Sequence, residues 1–193
     1  MSQKESTFFQ LKGYPGLENM AEQISMYFPD STIHVEPFAG LGRTIPFTKA
    51  STVILNDLSD FAIDYLKTTY PNAQVTKLDF SEIIQTYRKD PNVFIFMDPP
   101  WRKNIYKNND KPVFTMPNVT KYYQHILHWL NKDDTKCKWM LCSDRDRHEI
   151  SEFISDVGYH TLELEHPKVK LYGRPIAVKL VANFPLTLER SGN

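Results

Sequence analysis

The sequence predicts an α/β protein built on a mostly parallel, doubly wound sheet of seven strands, with an antiparallel edge hairpin and helices on both faces. Three observations carry this. Short apolar runs alternate with helical apolar patterns along most of the 193 residues, the signature of a parallel sheet covered on both sides. One run, Val93-Phe94-Ile95-Phe96-Met97, is apolar throughout, as a strand buried on two faces must be. The last two strand patterns follow one another with no helix between them, which suits an antiparallel hairpin at the sheet's edge.

Taken in order, Leu17, Met20, Ile24, Tyr27 and Phe28 recur at helical spacing and predict a helix from about Leu17 to Phe28. Strands are expected at Ile33–Phe38, Thr52–Leu55, Ala73–Leu78, Val93–Met97 and Lys138–Cys142, with a final pair at His160–Leu164 and Ile176–Phe184. Helices are expected at Asp60–Tyr70, Ser81–Arg88, Val119–Leu130 and His148–Val157, with Ser59 or Asp60 and Ser81 as N-caps. Residues 102–118 fit neither pattern. So long a connection reads as a flexible substrate loop. The whole of 1–193 is expected to form one domain, with about two thirds of its surface buried on folding.

Composition narrows the classes. Apolar residues make up 41% of the chain, and 23 basic residues balance 23 acidic ones. A stand-alone nucleic-acid binder usually carries excess positive charge, so any such binding needs a local basic patch or a partner. No segment has the run of about 18 apolar residues of a membrane span, and the first residues lack a signal peptide's apolar stretch. Cys137 and Cys142 form neither a disulfide framework nor a four-ligand metal set. A reduced, soluble, intracellular protein is expected, in the cytoplasm. The six histidines show no ligand pattern, and no metal is expected.

The most informative motif closes the apolar run: Asp98-Pro99-Pro100-Trp101. It falls at the carboxyl end of the expected strand, where open α/β sheets place their ligands. Pro99 has no N–H, so the ladder stops there, and Pro100 biases Pro99 to extended backbone. The result is a stiff corner that fixes a carboxylate, a carbonyl and a large aromatic face. That set suits a flat base bearing an amino group, with the two oxygens accepting from the amine and Trp101 stacking on the ring.

Glu36-Pro37-Phe38-Ala39-Gly40-Leu41-Gly42 follows the first strand, and two of the chain's seven glycines fall in it. Ile45 stands where a dinucleotide fingerprint has its third glycine, so phosphate binding is not indicated. An acid at the strand end with a glycine pair suits a zwitterionic cofactor such as S-adenosylmethionine. Asp57 ends the second strand, placed to accept from ribose hydroxyls. Asp79 ends the third, where it can accept from an adenine amine while Phe80 covers the ring. Glu36, Asp57, Asp79 and Asp98 should converge on one sheet edge.

These motifs, in this order, resemble the Dam-like class of S-adenosylmethionine-dependent DNA N6-adenine methyltransferases, over nearly the whole chain. Val35 to Gly42 is similar to that class's glycine motif, Leu55-Asn56-Asp57 and Asp79-Phe80 to its ribose and adenine positions, and Asp98 to Trp101 to its catalytic tetrapeptide. Leu11 to Gly16 is similar to its opening cofactor motif, and Ala177 to Phe184 to its closing strand. The resemblance implies a Rossmann-like methyltransferase fold. It implies S-adenosylmethionine as cofactor, with S-adenosylhomocysteine as product, and adenine N6 methylation in DNA ahead of RNA. It adds Lys12, Tyr14 and Gly16 to the cofactor residues Glu36, Pro37, Phe38, Gly40, Gly42, Asp57, Asp79 and Phe80, and makes Asp98, Pro99, Pro100 and Trp101 catalytic.

Three departures qualify it. Leu17-Glu18 follow the opening glycine, where the class has glycine and lysine. Trp101 replaces the usual tyrosine and is more typical of RNA adenine methyltransferases. Only Ser81 to Asn92 lie between the third and fourth strands, where the class inserts its target-recognition domain. Target recognition then falls to other parts of the chain or to a protein partner.

Substrate contacts are expected first at Arg102, Lys103, Tyr106 and Lys107, with Lys111 nearby, because cations hold phosphates while an aromatic stacks on a base. Lys168, Lys170, Tyr172 and Arg174, read as a loop between the last two strands, are a second candidate, and Arg145 with Arg147 a third. Two alternatives stay open: RNA as the substrate, and a non-catalytic binding module on the same fold. Methylation of a protein glutamine amide fits less well, since those enzymes resemble Asn-Pro-Pro-Tyr at this site.

Overall fold

The computed structural model describes residues 20–100, 106–108, 111–114, 119–144, 158–171 and 174–188. Nine strands occur in them: β1 (Ile33–Glu36), β2 (Thr52–Asn56), β3 (Gln74–Thr76), β4 (Val93–Met97), β5 (Tyr106–Asn108), β6 (Lys111–Phe114), β7 (Lys138–Asp144), β8 (His160–Leu171) and β9 (Arg174–Ala182). The helices are α1 (Ala21–Ser25), α2 (Asp60–Thr69), α3 (Phe80–Tyr87) and α4 (Val119–Leu130).

Seven strands form one sheet in the order β3-β2-β1-β4-β7-β9-β8. The first five are parallel, β9 runs antiparallel to β7, and β8 runs antiparallel to β9. The strand order reverses between β1 and β4, which are neighbours in register Val35↔Ile95. In open α/β sheets ligands bind at such a switch point, in the crevice outside the carboxyl ends of the two strands.

Strand β4 shows why the sheet sits at the centre. All five of its residues are buried. Val93, Ile95 and Met97 pack with Ile83 and Ile84 of α3 and Ile126, Leu127 and Leu130 of α4. Phe94 and Phe96 pack on the other face with Ala21 and Ile24 of α1, Met140 of β7 and Val178 and Leu180 of β9. The period-2 alternation thus feeds two cores, and each such side chain contributes roughly 1.5–3 kcal/mol by leaving water. A third cluster, Ala39, Leu55 and Leu66, docks α2 beside the glycine loop.

Several element boundaries differ from expectation, each for a local reason. Strand β1 stops at Glu36 because Pro37 has no N–H to give to the ladder. Strand β3 is only three residues long. Ser59 caps α2 as expected, its hydroxyl accepting from the Ala62 N–H. The cap of α3 is Asp79, not Ser81: the Asp79 carboxylate accepts from the Ser81 N–H at 2.9 Å, and Glu82 reaches back to the Asp79 N–H in a capping box. Within 102–118, a stretch expected to be loop, β5 and β6 pair as a small antiparallel hairpin. Strands β8 and β9 extend to Leu171 and Arg174, so most of the supposed loop from Lys168 to Arg174 is strand. The helix expected at His148–Val157 lies outside the described residues.

Candidate active site

Because β1 to β4 are parallel and adjacent, their carboxyl ends share one edge of the sheet, and the four acids stand along it. Glu36 is the last residue of β1, Asp57 follows β2, Asp79 caps α3 just beyond β3, and Asp98 follows β4. Glu36 and Asp98 flank the switch point between β1 and β4.

Glu36 is buried, and among the described residues its Oε1 takes His34 Nε2 at 2.9 Å and the Thr44 hydroxyl, which donates to it. His34 lies two residues earlier on the same strand face and is wholly buried, its ring against Phe28 and Phe94. Among the described residues His34 Nδ1 has no partner, so the Nε2–H tautomer donating to Glu36 is the one that uses the ring's hydrogen-bonding capacity.

The glycine loop is held from two sides. Gly40 and Gly42 have φ of 53° and 62°, a region that only glycine enters at little cost. The Gly40 N–H donates to Asp57 Oδ2 at 2.9 Å, and the Tyr70 hydroxyl of α2's C-cap donates to the Gly42 carbonyl at 2.7 Å. A Cβ at Gly42 would meet Tyr70 Cε2 at 2.7 Å. Asp57 also accepts from the Ser59 N–H at 2.9 Å. Burial pushes its carboxyl above the ordinary range, against the backbone N–H groups of Ser59, Gly40 and Leu58, which pull it down.

Asn56 ties three strand ends together. Its amide donates to the Pro37 carbonyl (3.0 Å) and the Leu78 carbonyl (2.9 Å), and its Oδ1 accepts from the Leu78 N–H (2.8 Å) and the Thr76 hydroxyl (2.9 Å). All four hydrogen-bonding positions of the amide are used, and the residue is buried. Phe38 and Phe80 stack with ring centroids 5.3 Å apart, and His125 of α4 sits edge-on to Phe80 at 5.4 Å. His125 in turn accepts from Trp129 Nε1 at 3.0 Å, so it is an ordinary satisfied histidine. Phe80 is only 5% exposed, so the ring offers an edge rather than a face.

At the end of β4, Asp98 Oδ1 is shut off from solvent. The buried Cys142 of β7 lies beside it: burial first, and the Asp98 charge second, keep that thiol protonated well above its usual range. Lys12, Tyr14, Gly16, Trp101, Arg102 and Lys103 lie outside the described residues, as do Arg145 and Arg147. Tyr106 and Lys107 are strand residues of β5. His34, Thr44, Asn56 and Tyr70 were not among the expected site residues. The period-2 pairing of His34 with Glu36 was the one sequence signal that could have found any of them.

No protein-family model matches the sequence, and no curated protein matches it. Solved structures do resemble it. One is a putative methyltransferase from Streptococcus mutans in complex with SAH: 16% identical, covering 86% of this chain and 97% of that one, TM-score 0.52. Magnesium protoporphyrin IX methyltransferase from Synechocystis, with bound SAM, is 12% identical over 88% of this chain and 80% of its own, TM-score 0.54. An rRNA methylase from Streptococcus thermophilus is 13% identical over 84% and 94%, TM-score 0.51.

This is the Rossmann-like methyltransferase fold.

At such identities the likeness is one of fold. Within the methyltransferase fold, the crevice above β1 and β4 is the place where the strand order itself opens a site.

Proposed function

We propose that the chain is an S-adenosylmethionine-dependent methyltransferase acting on the exocyclic N6 amine of adenine in nucleic acid, with DNA as the first substrate to test. The observation that carries this reading is the placement of Asp98-Pro99-Pro100 at the end of β4, across the switch point from Glu36 and the glycine loop.

The residues present fit such a cofactor. Glycines at positive φ let the loop backbone approach a ligand closely. Glu36 offers Oε2 to the cofactor's ammonium while His34 and Thr44 hold Oε1. Asp57 accepts from ribose hydroxyls, and Asp79 with Phe80 borders the adenine. By the resemblance, Lys12, Tyr14 and Gly16 would add further cofactor contacts. S-adenosylmethionine supplies the electrophilic methyl when bound.

The chain's task is then to make a poor nucleophile adequate. The N6 lone pair of adenine is delocalised into the ring. Asp98 and the Pro99 carbonyl accept from the two N–H bonds, which favours a pyramidal nitrogen with its lone pair aimed at the methyl. Pro100 fixes the corner, and Trp101 stacks on the base, worth roughly 1–3 kcal/mol. Alignment supplies much of the rate. Asp98 would stabilise the positive charge that develops on nitrogen as it takes the methyl, and the proton then lost from nitrogen would pass to the Asp98 carboxylate or to water. The base must be flipped or unpaired to reach Asp98.

RNA adenine is the second reading, favoured by Trp101. The test is transfer of labelled methyl to duplex DNA, single-stranded DNA and RNA, each digested to nucleosides. Label in N6-methyladenine from one of them, and none with Asp98→Ala, is the expected result. No label in adenine from any of the three, with the cofactor still bound, would overturn the assignment.

A further inference from the structure

Glu36, Asp57 and Asp98 account for the crevice but leave the longest feature of the sheet without a role. Strand β7 pairs with β9 from Met140↔Ala182 to Asp144↔Val178. Beyond that point β8 and β9 continue, among the described residues, with only each other as partners, through Glu165↔Ala177, Lys170↔Pro175 and Leu171↔Arg174. Strand β7 is parallel to β4, so this ribbon rises from the edge where Asp98 stands. Arg174 to Ala177 adds about 13 Å of strand beyond the last β7 pair. A two-stranded ribbon outside its sheet is marginal in water, so stability does not explain it.

The ribbon is also irregular where it leaves the sheet. The register shifts between Glu165 and Lys170, so that residues 166–169 of β8 stand against Ile176 alone. Pro167, with no N–H, breaks the ladder there. Bulges of this kind bend a strand and twist its partner. From His166 to Ala177 the chain carries Lys168, Lys170 and Arg174 and no acid. The β5–β6 hairpin, which leaves β4 at the same edge, adds Lys107 and Lys111. The strand ends of the same edge carry the acids Glu36, Asp57, Asp79 and Asp98, so the cations mark the ribbon and the hairpin and not the edge as a whole. The ribbon is thus locally basic within a chain of zero net charge.

We infer that the β8–β9 ribbon is a phosphate grip for single-stranded nucleic acid, laying the strand across the edge so that one unpaired base reaches Asp98. This rests on the nucleic-acid reading above. A single strand is favoured over a duplex. Flipping a base out of a duplex costs a few kcal/mol, which a neutral chain with a handful of cations at one edge is poorly equipped to offset. A single strand presents its base without that cost.

The test compares the wild-type protein with Lys168→Gln/Lys170→Gln/Arg174→Gln by fluorescence anisotropy on a single-stranded DNA oligonucleotide over a series of salt concentrations. Each lost phosphate contact lowers the slope of log affinity on log salt by about 0.7, so the triple variant should lose about 2. Over the tenfold span from 1 M to 0.1 M salt, that difference is about 100-fold in affinity. S-adenosylmethionine affinity by calorimetry should be unchanged, which shows that the variant is folded. A charge-preserving variant, Lys168→Arg/Lys170→Arg/Arg174→Lys, should keep the wild-type slope. An unchanged slope in the triple glutamine variant, or tighter wild-type binding to duplex than to single strand, overturns the grip. Wild-type protein that binds no nucleic acid overturns the grip and the substrate class together. Single-strand binding that depends on the ribbon, without label in adenine, upholds the grip and defeats only the proposed chemistry.

Discussion

At the scale of single residues, the glycine loop is held by Asp57 at Gly40 and by Tyr70 at Gly42. Tyr70 donates to the Gly42 carbonyl while its ring occupies the space a Cβ would need. Gly42→Ala meets both a φ of 62° and a 2.7 Å clash. It should lower stability by about 2 kcal/mol, read from chemical denaturation, since alanine at positive φ costs more than the entropy it saves. Tyr70→Phe should cost about 1 kcal/mol for the lost hydrogen bond and leave the loop in place. The two should not add, because they disturb one contact. Asp98 and the glycine pair were legible in the sequence because unusual residues sit at strand ends. Tyr70 was not, because nothing local marks a tyrosine at a helix C-cap as facing a carbonyl 28 residues earlier.

At the scale of elements, the site depends on strands ending at one level, and Asn56 is the residue that enforces it. Its four hydrogen bonds join β2 to the end of β1 and the end of β3. Asn56→Ala leaves the Pro37 carbonyl unpaired in a buried position and frees the part-buried Leu78 N–H and carbonyl, and should cost about 2 kcal/mol, with weaker cofactor binding than that of a surface control of equal stability. Strand β4 was readable because burial on both faces forces a continuous apolar run. The ribbon was not, because Pro167 and Pro175 read as breakers and its outer pairs have no apolar alternation. The cap of α3 was misplaced for a simpler reason. Asp79 and Ser81 both have capping side chains two residues apart, and only the fold shows which one precedes the first turn.

For the whole molecule, the sheet separates two cores, and the cysteines report on both. Cys137 belongs to the core under α3 and α4, and Cys142 to the core under α1. Burial pushes the Cys137 thiol up to about 12 and holds the Cys142 thiol well above its ordinary range. A raised pKa suppresses the reactive thiolate, so at pH 8 the native protein should react negligibly with a thiol reagent. Both cysteines should react in denaturant. One fast thiol in the native state would show that one of the two cores is open. No helix among the described residues is long and apolar enough to cross a membrane.

The proposed chemistry divides labour along one sheet edge, with β1 and β2 holding the cofactor and the end of β4 holding the amine. Calorimetric titration of S-adenosylmethionine into wild type, Asp57→Ala and Asp98→Ala tests it most directly. Loss of a charge-assisted hydrogen bond is worth about 1.5–3 kcal/mol, so Asp57→Ala should weaken binding roughly 10- to 100-fold. Asp98→Ala should change it by no more than a few-fold. Binding lost in Asp98→Ala, or unchanged in Asp57→Ala, would contradict the division.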